Sequence, residues 1–212
     1  MKPFDAPGEM QPLGKEEGYL KFDCRLIDEK LAMPPAIFGT LNFWRKVLWD
    51  KQLIGVYPDG VGYGNISCRL GNSSLFYISG TATGGIPDLS PDHYSLVEEC
   101  LPERNFIRCR GRIKASAESM SHAAIYAANP EAGAVVHVHN LAMWEKYLDQ
   151  LPTTDPGVEY GTPGMAAEIE RIMELPETLS GKVLVMGGHR EGLISFGRTL
   201  EEAVKVMLEL RE

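Results

Sequence analysis

Two histidines lie in one short apolar segment, Val135-Val136-His137-Val138-His139. Valine-rich runs of this kind favour a strand, in which successive side chains point to opposite faces. The imidazoles of His137 and His139, at positions i and i+2, therefore leave the same face. This geometry suits two neighbouring ligands of one metal ion, although a strand can also carry such a pair as satisfied imidazoles.

A third histidine, His189, lies in a predicted turn between two apolar runs, 183–186 and 193–196. Three neutral imidazoles can hold Zn²⁺, or another divalent transition metal, at about 2.0–2.1 Å and leave a fourth position for substrate or water. Because none of these ligands is anionic, the ion would keep its Lewis acidity and could polarise a carbonyl and stabilise an enediolate oxygen.

Glu118 is the candidate for proton transfer. Ser116 is a predicted N-cap, and the residues from Ala117 to Ala128 are good helix formers. Glu118 would then lie in the first helical turn, where the macrodipole favours the ionised carboxylate. His122 would share its helix face and could either hydrogen-bond Glu118 or be a satisfied core histidine.

Hydroxyl groups and exposed backbone N–H groups are concentrated in the tract from Ser79 to Gly85. Such groups can form an anion cradle. The tract matches neither the Walker A nor the G-x-G-x-x-G pattern, so both a plain loop and a phosphate site stay open. Three cations, Arg110, Arg112 and Lys114, precede Ser116, and a capped helix N-terminus with cations nearby can also bind an anion.

Composition favours a single domain acting on a small molecule. The chain has 212 residues with 44% hydrophobic and 24% charged residues, and no apolar run is long enough to cross a membrane. A net charge of −8 without a basic cluster gives no sign of nucleic-acid binding. The N-terminus lacks an apolar signal segment and the four cysteines are scattered, so we expect a cytoplasmic protein with reduced thiols.

Several elements must position these side chains. Residues 1–18 are rich in Pro, Gly and charge and are expected to form a flexible arm, followed by a strand over 20–26 that packs on the domain or on a neighbouring subunit. We place the arm and this strand in 1–35 and the main domain in 36–212. Apolar periodicity further predicts helices over 37–48, 141–148, 166–175 and 200–208, a hairpin of strands 66–69 and 75–78, and strands at 183–186 and 193–196; residues 88–109 are mixed.

Taken together, these motifs resemble the class II aldolase/adducin family, which includes sugar-phosphate aldolases, epimerases and dehydratases. Four stretches carry the resemblance: Gly64-Asn65-Ile66-Ser67, Tyr77-Ile78-Ser79-Gly80 with its threonines, Ser116-Ala117-Glu118 with His122 and the His137-Val138-His139 strand, and His189 with Gly192-Leu193-Ile194. It spans roughly 36–210. It implies an α/β fold with three α/β/α layers around a mostly antiparallel sheet, commonly assembled as a homotetramer with active sites at subunit interfaces.

The resemblance also implies roles for individual residues. His137, His139 and His189 would be the zinc ligands and Glu118 the catalytic acid/base. A second set would hold the substrate and its phosphate: Gly64, Asn65, Ser79, Thr81, Thr83, Gly84 and Ser116. Three positions depart from the family pattern. Ala117 replaces a second serine, Arg190-Glu191 separates His189 from Gly192, and the segment between His139 and Tyr160 is short and has no obvious match for the tyrosine that one subunit lends to its neighbour.

The expected function is therefore that of a zinc-dependent aldolase-type lyase, which acts on a small ketose or sugar phosphate through a metal-stabilised enediolate. Epimerisation and dehydration of a sugar phosphate use the same chemistry and remain alternatives. A non-catalytic adducin-like scaffold is the alternative from another functional class. Retention of Glu118 and of all three histidines argues against the scaffold.

Overall fold

The computed structural model of the chain describes residues 19–211, and the arm predicted at 1–18 lies outside the described residues. Among these described residues, eight strands form one sheet in the order β1-β7-β6-β5-β4-β8-β10-β9, and two short strands form a separate pair, β2-β3. The strands are β1 (Asp23–Asp28), β2 (Gly55–Val56), β3 (Gly62–Tyr63), β4 (Asn65–Arg69), β5 (Phe76–Ser79), β6 (Tyr94–Leu101), β7 (Phe106–Gly111), β8 (Ala134–His139), β9 (Val183–Val185) and β10 (Gly192–Gly197).

Helices cover both faces of the sheet. They are α1 (Pro35–Asp50), α2 (Ser119–Ala128), α3 (Leu141–Tyr147), α4 (Pro163–Met173), α5 (Pro176–Gly181) and α6 (Leu200–Arg211). Leu41 of α1 and Val204 of α6 pack in one apolar cluster, whereas Met120 of α2 and Ile169 of α4 pack in the other. Two clusters on opposite faces of one sheet make a three-layer α/β/α domain, as expected.

Strand β8 shows how the sheet divides these layers. Val136 and Val138 pack in the cluster with α1 and α6, and Val135 packs in the cluster with α2 and α4. Because side chains alternate along a strand, His137 and His139 share the face of Val135 and point toward the layer of α2. The aliphatic residues of β8 thus fix the side on which the two imidazoles lie.

The sheet is mixed, with one parallel pair at its edge. Strand β1 runs parallel to β7, while the other neighbouring pairs are antiparallel. The predicted N-terminal strand therefore forms, and it packs on the domain itself. The predicted hairpin of β4 and β5 and the predicted pair β9 and β10 also form.

Three local predictions differ from the structure. The mixed segment 88–109 forms most of the β6–β7 hairpin. In β6 the burial pattern is irregular around a register shift between Val97 and Glu99, whereas β7 alternates regularly between half-buried and buried residues. Helix α2 begins at Ser119 with Glu118 as its N-cap, so Ser116 is not the cap. Helix α5 was not predicted, because its six residues are too few for a periodic pattern.

Two further features of the described residues concern membrane-spanning helices and the cysteines. Within residues 19–211, no helix combines the length and the apolar character that crossing a bilayer requires. Cys24, Cys68, Cys100 and Cys109 are free thiols, although the sulfurs of Cys24 and Cys109 lie 3.7 Å apart.

Candidate metal centre

His137 and His139 lie on β8, which is paired with β4 on one side and β10 on the other. His137 is opposite Asn65 of β4 on one side and Ile194 of β10 on the other, and His139 is opposite Gly192. Both side chains are buried, at 1% and 3% exposure. The strand pairing on both sides holds these two imidazoles in fixed positions.

His189 approaches them from the turn that joins β9 and β10. Its backbone N–H donates to the carbonyl of Met186 at 3.2 Å, and its carbonyl accepts from Gly192 N–H at 2.9 Å. One ligand nitrogen from each of His137, His139 and His189 lies within 4.8 Å of the others. The three histidines that were predicted separately therefore form one buried cluster.

Hydrogen bonds fix the tautomers of the two strand histidines. Nδ1 of His137 lies 3.1 Å from the carbonyl of Leu193, which can only accept, so Nδ1 carries the proton. The Tyr57 hydroxyl donates its proton to Glu191 at 2.8 Å and lies 2.8 Å from Nδ1 of His139, so it accepts from that nitrogen. Both Nε2 atoms are then left with lone pairs, and they face each other at 3.0 Å.

Two facing lone pairs repel unless a cation lies between them. Burial, with a smaller effect of His189, holds the pKa of His137 and of His139 well below the usual range, so both imidazoles are neutral. Neutral imidazoles are the form that binds a metal, and nitrogens bound tetrahedrally at about 2.0–2.1 Å are about 3.3 Å apart. The donor set therefore fits a divalent transition metal.

Glu118 brings a carboxylate to this cluster. Its Oε2 accepts a hydrogen bond from Ser121 Oγ at 2.6 Å, and its Oε1 lies 3.4 Å from Nδ1 of His189. The side chain is 3% exposed. One carboxylate oxygen is thus anchored to α2, and the other faces the histidines, where it could accept or return a proton.

His122 takes the second of its two predicted roles. Its Nδ1 lies 2.7 Å from the hydroxyl of Ser67, which in turn lies 2.7 Å from the hydroxyl of Tyr126. Full burial lowers the pKa of His122 to about 3. It is therefore a core histidine and not a side-chain partner of Glu118, but only its Nδ1 is satisfied, because its buried Nε2 has no hydrogen-bond partner among the described residues.

A pocket opens above the cluster and brings most of the predicted residues together. Its walls include the three histidines, Glu118, Ser116, Gly64, Asn65, Thr81, Thr83 and Gly84. Ser79 lies outside this lining, where its hydroxyl accepts from Ile66 N–H at 3.3 Å. The Thr83 hydroxyl donates to the carbonyl of Gly80 at 2.8 Å, a bond that ties the loop together.

The predicted cations ahead of Ser116 do not reach the pocket. Arg110 pairs with Glu29 and Glu98, and Arg112 pairs with Asp28. Among the described residues that line the pocket there is no Lys or Arg.

A cation that sequence reasoning missed lies behind the loop. The guanidinium of Arg45 is 1% exposed and donates to the carbonyls of Thr83 at 2.9 Å, Gly84 at 3.1 Å and Pro87 at 2.9 Å, and also to that of Ile86. Arg45 lies on the same face of α1 as Leu41 and Leu48. A charged residue on the apolar face of a predicted helix could have indicated that this guanidinium is buried and hydrogen-bonded.

Tyr160 was also missed as a pocket residue. Its ring stacks on His189, with centroids 4.3 Å apart, and Lys21 Nζ lies 3.8 Å from the tyrosine ring centroid. The loop between α3 and α4 therefore places a tyrosine beside the histidine cluster within the same chain.

The chain is similar to a known protein family and to a protein of known activity. Residues 59–212 match the family model described as the class II aldolase and adducin N-terminal domain. The 3-oxo-tetronate 4-phosphate decarboxylase of Haemophilus influenzae is 28% identical over 169 residues, which cover 71% of this chain and 74% of that protein.

Solved structures agree with the fold. An L-fuculose 1-phosphate aldolase is similar with a TM-score of 0.64 and 16% identity, over 84% of this chain and 83% of that one. A sugar-phosphate aldolase from Thermotoga maritima is similar with a TM-score of 0.61 and 16% identity, over 82% of this chain and 90% of that one. The predicted α/β fold is confirmed, and the chain belongs to the class II aldolase and adducin family.

Proposed function

We propose that this chain is a metal-dependent carbon–carbon lyase that acts on a small phosphorylated ketose or keto acid, with Zn²⁺ as the ion. The observation that carries the proposal is the pair of lone pairs on His137 and His139 that face each other at 3.0 Å, with the Glu118 carboxylate 3.4 Å from His189. His137, His139 and His189 are the proposed ligands. Three nitrogen donors without a carboxylate suit zinc.

The ion would supply one part of the chemistry. When bound, it polarises a carbonyl and stabilises the negative charge that develops as the adjacent carbon–carbon bond breaks. Glu118 then takes the proton from the substrate hydroxyl in aldol cleavage, the bond breaks to release an aldehyde, and the electron pair stays on the carbon next to the carbonyl. Glu118 returns its proton to that carbon. The hydrogen bond from Ser121 keeps one oxygen of Glu118 in place during both transfers.

Polar groups in the pocket are proposed to hold the rest of the substrate. The Oδ1 atom of Asn65 is buried and has no hydrogen-bond partner among the described residues, so a substrate hydroxyl could donate to it. Ser116, Thr81, Thr83, Gly64 and Gly84 form the wall on which a phosphate would lie. Ser79 would act indirectly, by fixing the start of the loop through Ile66.

Decarboxylation is a second candidate reaction at the same site. The curated relative is a 3-oxo-tetronate 4-phosphate decarboxylase, and at 28% identity it covers most of this chain. Loss of CO₂ from a 3-oxo acid also breaks a carbon–carbon bond next to a carbonyl and leaves the electron pair on the same carbon. The two reactions share this carbanion but differ in the leaving group and in the source of the proton. Aldol cleavage takes the proton from the substrate hydroxyl, whereas decarboxylation takes none, so Glu118 would have to enter that reaction protonated and give its proton to the carbon. One pocket could serve either reaction. Epimerisation and dehydration stay open as further alternatives.

A substrate panel tests the proposal. The zinc-loaded protein is incubated with dihydroxyacetone phosphate and short aldehydes, and separately with 4-phosphorylated 3-oxo acids, and the adducts or CO₂ are measured. We expect product in one arm, formed about 10²- to 10⁴-fold more slowly by Glu118→Gln. No product in either arm with stoichiometric zinc bound would overturn the lyase and leave the epimerase, dehydratase and scaffold alternatives.

Assembly and location are part of the same proposal. Phe43 and Leu179 are large apolar side chains at 59% and 44% exposure, and burial between copies in a homotetramer would remove them from water. The four free thiols favour a reducing compartment, as expected for a cytoplasmic enzyme. Light scattering of the purified protein tests the tetramer.

A further inference from the structure

Two residues outside the pocket lining meet at the far side of His139. Tyr57 directly precedes a turn in which its backbone N–H donates to Val61 at 2.8 Å and its carbonyl accepts from Gly60 at 2.9 Å. Glu191 lies in the turn between His189 and Gly192. The hydroxyl of Tyr57 joins them, because it donates to Glu191 Oε2 at 2.8 Å and accepts from His139 Nδ1 at 2.8 Å.

The backbone of Glu191 is held in an uncommon conformation. Its φ is +72°, in the left-handed region that a residue with a side chain rarely adopts. The carbonyl of Glu191 accepts from Asn140 N–H at 2.9 Å, so the turn is fastened to the residue that follows His139. Local strain that persists at such a site is a reason to look for a function in the side chain.

We propose that Tyr57 and Glu191 form a positioning relay for the metal: Glu191 orients the Tyr57 hydroxyl, and that hydroxyl fixes His139 with its Nε2 lone pair toward His137 and His189. This inference rests on the proposed three-histidine metal site. Histidine ligands commonly donate their second N–H to a carboxylate or carbonyl, which sets the tautomer and the ring orientation. His137 has such a partner in the Leu193 carbonyl, and for His139 the relay fills this place with a tyrosine and a carboxylate.

The relay also brings negative charge toward a cluster of neutral ligands. Three imidazoles leave the charge of a divalent ion uncompensated, and Glu191 lies two hydrogen bonds from His139, through Tyr57. The O–H bond of Tyr57 is polarised by the Glu191 carboxylate. The Tyr57 oxygen thereby becomes a stronger acceptor for the N–H of His139. Removal of either member therefore loosens His139 and weakens metal binding, while the pocket lining is unchanged.

The neighbouring tyrosine offers a matched control. Tyr63 stacks on the same imidazole, with centroids 5.4 Å apart and an interplanar angle of 25°, but its hydroxyl donates to the Gln52 carbonyl at 3.5 Å. Tyr57→Phe and Tyr63→Phe each remove one hydroxyl from a ring that packs against His139. Only the first removes a hydrogen bond to the imidazole.

The test measures zinc affinity of the full chain by competition with a chromogenic chelator. We expect Tyr57→Phe to weaken affinity about 10- to 100-fold, as loss of such outer partners typically does, and Tyr63→Phe to stay within about twofold of wild type. Glu191→Gln keeps an acceptor for Tyr57 but removes the charge, so its loss should be smaller. Since Glu191 acts through Tyr57, the double variant should bind no more weakly than Tyr57→Phe alone.

A spectroscopic readout separates positioning from general damage. With Co²⁺ in place of zinc, Tyr57→Phe should change the visible absorption bands, whereas Tyr63→Phe should not, and metal-free variants should unfold at the wild-type temperature. Additive losses in the double variant, or Tyr57→Phe within twofold of wild type, would overturn the relay and leave the metal site standing. A wild-type chain that binds no zinc would overturn both.

Discussion

The Nε2 atoms of His137 and His139 lie 3.0 Å apart with both lone pairs directed into the same gap. The carbonyl of Leu193 and the hydroxyl of Tyr57 fix the protons on the opposite nitrogens. Without a cation between them these two groups would repel, and a cation in the gap turns repulsion into attraction.

Metal removal should lower stability for this reason. A ligand that binds only the folded state, at a free concentration 100 times its Kd, raises the free energy of unfolding by about 2.7 kcal/mol. We expect zinc to raise the unfolding temperature and a chelator to lower it, measured by circular dichroism. His137→Ala is the control, since it lacks one donor and should not respond to zinc. Equal shifts in both proteins would place the zinc elsewhere.

The roles of Glu118 and His137 can be separated. Glu118→Gln removes the proton-transfer group but no proposed ligand, so zinc content should be kept while turnover falls by about 10²- to 10⁴-fold. His137→Ala should lose both. Metal analysis and product formation are measured on the same samples, and full activity in Glu118→Gln would show that another group transfers the proton.

Gly192 allows two ligand rings to pack closely. A Cβ added there would lie 2.9 Å from the carbonyl oxygen of His189, 3.1 Å from its Nδ1 and 3.2 Å from Cε1 of His137. Gly192→Ala should therefore shift the His189 backbone and both rings, and weaken zinc binding at least tenfold. Gly39→Ala is the matched control. Apart from its chain neighbours and the backbone of α1, no atom of residues 19–211 lies within 4 Å of its added Cβ, and we expect it to stabilise the fold by about 0.5–1 kcal/mol with zinc affinity unchanged. Equal zinc affinity in both variants would contradict the prediction.

Arg45 holds the loop by its carbonyls. Arg45→Met removes the guanidinium from all of these carbonyls, but that of Thr83 still accepts from Ile86 N–H at 3.1 Å and that of Gly84 from Trp49 Nε1 at 3.1 Å. An unsatisfied group costs about 1–3 kcal/mol, so we expect a loss of about that size in urea unfolding. Lys46→Met, at the next residue, breaks an exposed pair with Asp50 and a contact with the Trp49 ring, and should cost less than about 1 kcal/mol. Similar losses in the two variants would mean that the loop does not depend on Arg45.

His122 should make stability depend on pH. Its pKa is about 3 in the folded chain and about 6.5 when exposed, so between these values the unfolded chain binds a proton that the folded chain does not. Stability therefore falls as pH drops from 6.5 toward 3, by about 1.4 kcal/mol per unit from this residue. His122→Asn should show a slope shallower by that amount between pH 6 and 4 in urea titrations. Parallel curves would contradict this assignment.

The sequence predicted the parts of the site that depend on short-range pattern. Alternation along Val135–His139 put both imidazoles on one face, and the apolar runs around His189 predicted the turn that carries it. These inferences succeed because strand periodicity is a local property of the backbone. The histidine cluster follows once the two strands pair.

Contacts between distant segments were beyond such reasoning. The pattern of α1 predicted its buried face, but it could not show that Arg45 on that face meets the carbonyls of residues 83–87. The link from Tyr57 to Glu191 likewise depends on how two turns meet in space. Ser116 fits an N-cap by residue type, yet the chain enters the helix two residues later, at Glu118.

The hydrogen bond between Tyr57 and Glu191 joins residues 134 positions apart in the chain. The strand β8, which carries His137 and His139, likewise depends on pairing with the distant strands β4 and β10. Closing a loop of that length costs conformational entropy, and only long-range contacts offset that cost. We therefore expect such loops to close late in folding. The metal-binding arrangement should then be absent from the folding transition state. A bound ion would slow unfolding with little effect on the rate of folding, and so lengthen the lifetime of each folded molecule.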